Sequence, residues 1–227
     1  MATDRLAVFN YAHVPWMKKS MRKIDETTLP DPEVKLQIMR FTIDYLTSHG
    51  YRMIGMDHFA KEGDELFKSV GKGELHRNFQ GYTTKGGSDL IGVGITSIGE
   101  GADFYAQNLK ELPDYEAAID GGRLPLERGI LLNDDDRLRK RVIMRLMSNF
   151  SLEFAVIEKE FAIDFKSYFA EELKALEPFR EEELLTLSDT GIEVGETGRL
   201  LIRNIAMPFD AYLKKIPDDK RRFSKTV

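Results

Sequence analysis

The order of elements in the first sixty residues constrains this chain more than any other feature. Residues 5–13 (RLAVFNYAH) form a nearly continuous apolar run that ends in polar and aromatic residues. This is the pattern of a strand buried on both faces, as in parallel sheets. After a linker with Pro15 and Pro30, Asp31-Pro32 offers an N-cap with a first-turn proline, and Gly50 a C-terminal stop. Between them Leu36, Met39, Ile43 and Leu46 recur at helical spacing, which predicts a helix over 32–49. A second apolar segment, YRMIGMDHFA, starts at Tyr51. Strand, helix and strand with no hairpin turn between them make a right-handed parallel crossover. Two parallel strands are too few for a sheet that needs helices on both faces and covered edges. With Asp89–Ile98 (DLIGVGITSI) as a third strand, the expectation is still the tail of a larger α/β domain.

Between these segments, residues 74–89 read as a polar, glycine-bearing loop with Phe79 and Tyr82 in it. A helix is expected from Ala102 to Leu112 and a second short one after Pro113. Gly121-Gly122 and Pro125 then mark the best domain boundary, giving domains 1–122 and 123–227. Beyond it the pattern is helical. Asp134–Asp136 cap a helix whose apolar stripe includes Leu138, Val142, Leu146 and Phe150, and segments 154–161 and 165–176 are amphipathic. Leu184–Leu187, the turn Ser188-Asp189-Thr190-Gly191, and Ile192–Val194 read as a hairpin. Thr197-Gly198-Arg199 opens a last helix reaching Lys214. Helices, a two-stranded wing and another helix predict a mainly α, winged-helix-like C-terminal domain.

Composition narrows the chemistry. The chain has no cysteine, which excludes disulfides, thiolate zinc sites, cysteine nucleophiles and a cysteine-held iron–sulfur cluster on its own residues. Its net charge is −5, and neither side of Asn133 is basic, so nucleic acid is not an expected partner. No run approaches the roughly 18 apolar residues of a spanning helix. No basic segment precedes the first apolar run, so a cytoplasmic protein is expected.

The histidines are His13, His49, His58 and His76, and none pairs with another at the close spacing of a helical metal site, so no metal site is expected. Asp57 and His58 are consecutive on an expected strand and so point to opposite faces. His49 suits a helix C-terminus. His13 and His58 stand at the C-terminal ends of the two expected parallel strands, the functional rim of α/β folds, and are either rim residues or satisfied structural histidines. The run from Gly92 to Gly99 lacks a P-loop lysine; it reads as close backbone packing in a strand or as room for a ligand to approach the backbone. Residues 76–84 (HRNFQGYTT) are the densest polar-aromatic stretch, an ordinary surface loop or a binding loop. The basic run Arg137–Arg141 follows three aspartates, as on a solvated, dipole-matched helix.

Six stretches, FNYAHVPWMKK (9–19), YRMIGMDHFAKEGDEL (51–66), ELHRNFQGYTT (74–84), DLIGVGITSI (89–98), FYAQNLKEL (104–112) and GRLLIRNIAMPFDAYL (198–213), resemble the oxygen-independent coproporphyrinogen III oxidase (dehydrogenase) family. These are radical-SAM enzymes of haem biosynthesis. The resemblance covers the C-terminal half of the family, and HRNFQGYTT is its most specific part. It implies the last strands of a partial (β/α) radical-SAM barrel. It also implies a separate N-terminal half that carries the three cysteines of a 4Fe–4S cluster and the main S-adenosylmethionine contacts. The implied substrate is coproporphyrinogen III, with two propionate side chains oxidatively decarboxylated to vinyl groups. Ala12 and Ile98 match contacts to a second S-adenosylmethionine; Phe79 and Gln80 match active-site loop residues. Since the implied substrate is a tetracarboxylate, His13, His58, His76 and Arg77 are candidate substrate-binding residues, with cationic His76 or Arg77 pairing with carboxylates. Without thiolates this chain alone is expected not to bind the cluster and to be inactive. The competing reading is a non-catalytic porphyrin- or haem-binding protein, or a winged-helix nucleic-acid binder.

Overall fold

The structure is a computed structural model and describes residues 3–216. It is mixed α/β and divides into two compact units, one running to Lys68 and taking up the chain again from Ala211, the other Ser69–Asp210. In the first unit β1 (Arg5–Ala7), α1 (Pro32–Ser48), β2 (Tyr51–Gly55) and β3 (His58–Lys61) follow one another, and α2 (Glu65–Ser69) runs to its boundary. The Asp31 carboxylate accepts the Val34 N–H at 2.8 Å and Pro32 occupies the first turn, so α1 starts where the sequence places it. His49 caps its other end and Gly50 follows at φ +83, a conformation glycine adopts without steric cost.

Residues 51–60 are not one strand. Met56 takes φ 49, and the chain reverses so that β3 runs antiparallel to β2 with Met53 opposite Phe59. β1 pairs antiparallel with the other edge of β3, giving the order β1-β3-β2. The expected parallel crossover is therefore corrected: β3 lies between the two strands that point the same way. Gly55-Met56-Asp57-His58 lacks the Asn-Gly or Asp-Gly pair that marks a tight hairpin, and left-handed backbone at methionine is uncommon enough to escape a sequence reading.

In the second unit the expected loop 74–89 contains a hairpin, β4 (His76–Asn78) with β5 (Gly81–Thr83), in the register Arg77 opposite Tyr82 and Asn78 opposite Gly81. A three-stranded antiparallel sheet follows: β6 (Ile98–Glu100), β7 (Phe104–Asn108) and, after α3 (Leu112–Asp120), β8 (Leu126–Leu131), ordered β6-β7-β8. The helix expected over 102–112 is thus the central strand of this sheet, because pairing on both edges outweighs local preference. The short helix after Pro113 is present as α3, with that proline in its first turn. The strand expected over Asp89–Ile98 is also corrected. Only Leu90 bridges to Glu100, and the chain turns at Gly94 (φ 94) and Thr96 (φ 61). A Cβ at Gly92 would stand 2.8 Å from Ser97 Oγ and 3.0 Å from the Ile98 carbonyl carbon, and one at Gly99 3.1 Å from the Leu90 carbonyl oxygen, so these two glycines pack closely while Gly94 lies in open space. Gly121-Gly122 and Pro125 lie inside this unit and lead into β8.

The rest of the unit comprises α4 (Asp134–Asn149), β9 (Ser151–Glu153), α5 (Phe154–Phe161), α6 (Phe165–Tyr168), α7 (Ala170–Ala175), α8 (Glu177–Glu181), β10 (Leu185–Leu187), β11 (Gly191–Val194), α9 (Glu196–Leu200) and α10 (Ile202–Ala206). The N-cap of α4 is Asn133, not the aspartates: its side chain accepts the Asp136 N–H at 2.9 Å and Asp136 accepts the Asn133 N–H at 3.1 Å, a reciprocal capping box. Leu138, Val142 and Leu146 face inward as their spacing predicts, and Phe150 is buried at the helix end. Phe165 stacks on Phe154 at 4.3 Å and contacts Phe169 at 4.7 Å, which meets Phe209 edge-on at 5.4 Å. The predicted hairpin forms as β10 and β11, and β11 also pairs with β9. The last helix is interrupted. A 3-10 turn, Met207–Phe209, holds Pro208, which lacks the N–H a helix needs, and Asp210 is extended. The final turn, Ala211–Lys214, falls in the first unit. Residues 217–227 of the expected second domain lie outside the described residues. Among the described residues no helix is long and apolar enough to cross a membrane.

Candidate functional site

One face of the β6-β7-β8 sheet forms a cavity wall. Strand alternation places Ile98 and Glu100 of β6 on the same face, and the register sets Gln107 and Tyr105 of β7 opposite them. The β4–β5 hairpin supplies Arg77, Asn78 and Phe79 to the same cavity, which has a volume of about 670 Å³. A second recess, about 540 Å³, shares Arg77, Asn78, Glu100 and Met144 with the first and adds His76, Lys85 and Arg141.

A buried carboxylate joins these walls. Glu100 Oε2 accepts the Phe79 N–H at 3.2 Å, while Oε1 lies 3.0 Å from Lys140 Nζ and accepts the Tyr105 hydroxyl at 3.4 Å. Lys140 also donates to the Gly101 carbonyl at 2.9 Å and sits 4.5 Å from the centre of the Tyr105 ring. Burial, with Glu100 beside it, pushes the Tyr105 phenol far above its ordinary value, so it remains a hydrogen-bond donor. The basic run on α4 is not simply solvated: Arg139 reaches the buried Glu172 at 3.0 Å and Lys140 reaches Glu100.

Arg77 differs from these paired cations. Its guanidinium lies 5.0 Å from the centre of the Tyr82 ring, and the Tyr82 hydroxyl is itself fixed on the Met147 carbonyl at 3.0 Å. Arg77 Nη1 is buried with no hydrogen-bond partner among the described residues. A buried, unsatisfied N–H donor beside a cavity suits an acceptor ligand, because that donor has lost water without gaining a replacement. His76 departs from the expectation of a cation: burial first, then Arg141 and Arg145, holds it below its ordinary pKa, so it is neutral at pH 7.

Of the residues singled out from sequence, Arg77, Phe79 and Ile98 line the first cavity, and His76 and Arg77 the second. Gln80 completes the turn beside Phe79 and is exposed, its N–H held by Asn78 Oδ1 at 2.9 Å. Ala12, His13 and His58 belong to the first unit. Ala12 is exposed in the segment after β1. His13 bonds the Tyr11 hydroxyl and the Glu26 carboxylate, each at 3.1 Å. It does not stand at a strand end, since β1 stops at Ala7. His58 Nδ1 lies 2.6 Å from Asp57 Oδ1 and its ring meets Phe9 edge-on at 6.0 Å. The expectation that Asp57 and His58 point to opposite faces is thus corrected: Asp57 is in the turn, where strand alternation does not apply. His49 accompanies the C-terminus of α1 as expected, stacked on Tyr45 at 4.1 Å. Glu100 and Tyr105 were not singled out from sequence, and Lys140 only as part of the basic run Arg137–Arg141. The one available signal was the two-residue spacing of Ile98 and Glu100, hidden while β7 read as a helix. Among the described residues, no three His, Asp or Glu side chains gather as a metal site.

A family model described as the HemN C-terminal domain matches residues 132–201. The chain is 55% identical over 224 residues to an oxygen-independent coproporphyrinogen III oxidase from Helicobacter pylori, covering 99% of this chain and 48% of that protein. It is 50% identical over 212 residues to the Escherichia coli protein of the same name, covering 93% of this chain and 46% of that one. A third protein of that name, from Thermostichus vulcanus, is 48% identical over 225 residues, covering 99% of this chain and 69% of its own length. A solved structure titled "Coproporphyrinogen III oxidase (HemN) from Escherichia coli is a Radical SAM enzyme" superposes with a TM-score of 0.88 at 49% identity, covering 93% of this chain and 49% of that one. The fold is thus that of an α/β protein related along its length to one enzyme family. The chain belongs to the oxygen-independent coproporphyrinogen III oxidase family. It spans about half the length of most of the curated relatives it matches.

Proposed function

We propose that this chain is the C-terminal, substrate-side part of a coproporphyrinogen III dehydrogenase, which converts two propionate side chains of coproporphyrinogen III to vinyl groups and yields protoporphyrinogen IX. The observation that carries the reading is 46–55% identity over 99% of the chain to proteins of that name from distant bacteria. The cavity is consistent with it, because Arg77 brings a cation with an unsatisfied N–H to a recess that Phe79 and Ile98 also line. Phe79 and Gln80 act at the reacting side chain, Ile98 and Ala12 hold S-adenosylmethionine, and Arg77 takes a substrate carboxylate through charge-assisted hydrogen bonds. His13 and His58 belong to the same binding proposal, as does His76, which contributes as a neutral hydrogen-bonding group.

The 4Fe–4S cluster does not fit this chain's own donors, since none of its residues is a cysteine. When bound in the whole enzyme, the cluster with S-adenosylmethionine supplies a hydrogen-abstracting radical; this chain's residues bind, orient and shield the substrate. A cysteine-bearing half is therefore the proposed partner. Supporting this, no residue of α1 is buried although Val34, Leu36, Ile38, Phe41 and Tyr45 are apolar or aromatic, Phe41 being 68% exposed. The finer architecture belongs to the same proposal: the first unit joins the end of a partial (β/α) barrel. The order α4, β9, α5, short helices, then a β10–β11 hairpin pairing back onto β9 supports a winged-helix-like module. A cytoplasmic setting is also part of it and is checked by fractionation.

The test is anaerobic formation of protoporphyrinogen IX by this chain together with its cysteine-bearing half. In that assay Arg77→Ala loses hydrogen bonds to a charged group worth about 1.5–3 kcal/mol, which raises the KM for coproporphyrinogen III roughly 10- to 150-fold. An unchanged KM would remove Arg77 from the binding site, and absence of product from the wild-type pair would overturn the function.

A further inference from the structure

The Phe79–Gln80 turn stands in the open. Phe79 is 62% exposed, so apolar packing does not fix its place. Beside the Asn78–Gly81 pairing of the hairpin, two bonds to side-chain acceptors hold it among the described residues: Asn78 Oδ1 accepts the Gln80 N–H, and Glu100 Oε2 accepts the Phe79 N–H. The first is internal to the hairpin and travels with it. The second comes from β6, a different element, and is a link that relates the turn to the sheet.

We propose that Glu100 is a positioning residue, which locks the Phe79–Gln80 turn over the Ile98 face of β6. The proposal rests on the reading of Phe79, Gln80 and Ile98 given above and adds the group that holds them in one geometry. Glu100 is two residues from Ile98 on the same strand face, so a bond from its carboxylate to the turn fixes Phe79 relative to Ile98. The carboxylate itself has little freedom. It is 9% exposed, and Oε1 is held by Lys140 from α4 and by the Tyr105 hydroxyl from β7. Lys140 is anchored in turn on the Gly101 carbonyl. An ion pair serving stability alone would use Oε1; the aim of Oε2 at the turn N–H is what gives Glu100 its positioning role. Backbone N–H to carboxylate bonds are strong because one partner is charged.

Hydrogen exchange at the Phe79 amide in the full chain reads this bond directly. Glu100→Leu keeps the volume but removes the acceptor, and Glu100→Gln keeps an acceptor without the charge. The Leu variant exchanges the Phe79 amide about tenfold faster or more, while the ladder amides of β6 and β7 stay within about threefold. The Gln variant stays near wild type. If leucine disturbs the ladder, Glu100→Ala is read in the same way. Equal exchange at Phe79 in wild type and both acceptor-free variants overturns the proposal. So does a Gln variant as fast as Leu, which would leave only the ion pair with Lys140. In the assembled enzyme the Leu variant lowers kcat about tenfold or more with KM little changed, because a displaced reacting group costs rate rather than affinity; an unchanged kcat counts against the proposal. Absence of product from the wild-type enzyme refutes the function instead, and the exchange result then decides the positioning by itself.

Discussion

Replacing Gly86 with alanine tests the recess beside the hairpin through one well-defined clash. A Cβ at Gly86 would stand 2.2 Å from His76 Nε2, 2.3 Å from Cε1 and 2.5 Å from Cδ2. Comfortable heavy-atom contact is about 3.5–4.0 Å, so the overlap exceeds roughly 1 Å and the imidazole must move. Because the obstacle is a side chain, the backbone can stay and the cost is that of displacing one ring. Off-rotamer strain of about 0.5–1.5 kcal/mol and overpacking of about 1–3 kcal/mol bracket the loss at about 1–3 kcal/mol. The cost also depends on pH. His76 titrates below its ordinary value because it is partly buried and faces Arg141 and Arg145. A histidine whose folded pKa lies below its unfolded value of about 6.5 adds stability above that pH and loses it as pH falls toward the folded value. A ring driven into solvent titrates as in the unfolded chain and contributes no such term. The deficit of Gly86→Ala is therefore largest near pH 8 and shrinks toward about pH 5.5. Urea denaturation followed by circular dichroism at the two pH values measures it, with the His76 ring resonances reporting its exposure. A deficit equal at both pH values, or below about 0.5 kcal/mol at the higher one, would refute the account of why Gly86 is glycine.

Gly198→Ala meets backbone instead: its Cβ would lie 2.0 Å from the Leu184 carbonyl oxygen and 2.8 Å from Val194 Cγ1. The loss should reach about 3 kcal/mol despite the roughly 1 kcal/mol that alanine gains in helix preference, and an unchanged Tm would refute it. Arg139→Met deprives the 4% exposed Glu172 of its guanidinium partner and costs about 3–5 kcal/mol in chemical denaturation. A loss under about 1 kcal/mol would mean that Glu172 is held adequately by other groups.

The elements that could be read from sequence are those with their signals within a few residues. For α1 these are Asp31-Pro32 ahead of the apolar spacing and Gly50 behind it. For the hairpin of β10 and β11 they are Ser188–Gly191, whose side chains and carbonyls close the turn. The misreadings share a different cause. β4, β5, β6 and β9 have three residues each, too few for alternation to register, and lack a turn signal like the one that marks the equally short β10. β7 became a strand because Ile98–Glu100 on one edge and Leu126–Leu131 on the other pair with it. The same dependence on distant partners divides the site. Phe79, Arg77 and Ile98, which line the cavity, were named from residue type and family resemblance, whereas Glu100 and Tyr105 join its wall only once the register sets them opposite each other. His76 was expected as a cation because what keeps it neutral, burial first and then Arg141 and Arg145 arriving from α4, exists only in the folded chain.

Folding changes the meaning of the HRNFQGYTT stretch more than its membership. As a loop it would offer many donors, each needing to be immobilised when a ligand binds, at about 0.5–1.5 kcal/mol per flexible side chain. As a hairpin it places Arg77 opposite Tyr82, with the guanidinium on a ring whose hydroxyl is tied to Met147. Part of that ordering cost is then met during folding, and Nη1 is buried without a hydrogen-bond partner among the described residues. Glu100 does the same for the turn by fixing the Phe79 N–H from β6. The stretch is therefore positioned by β6, β7 and α4, and the geometry it presents depends on residues outside it that composition alone did not single out.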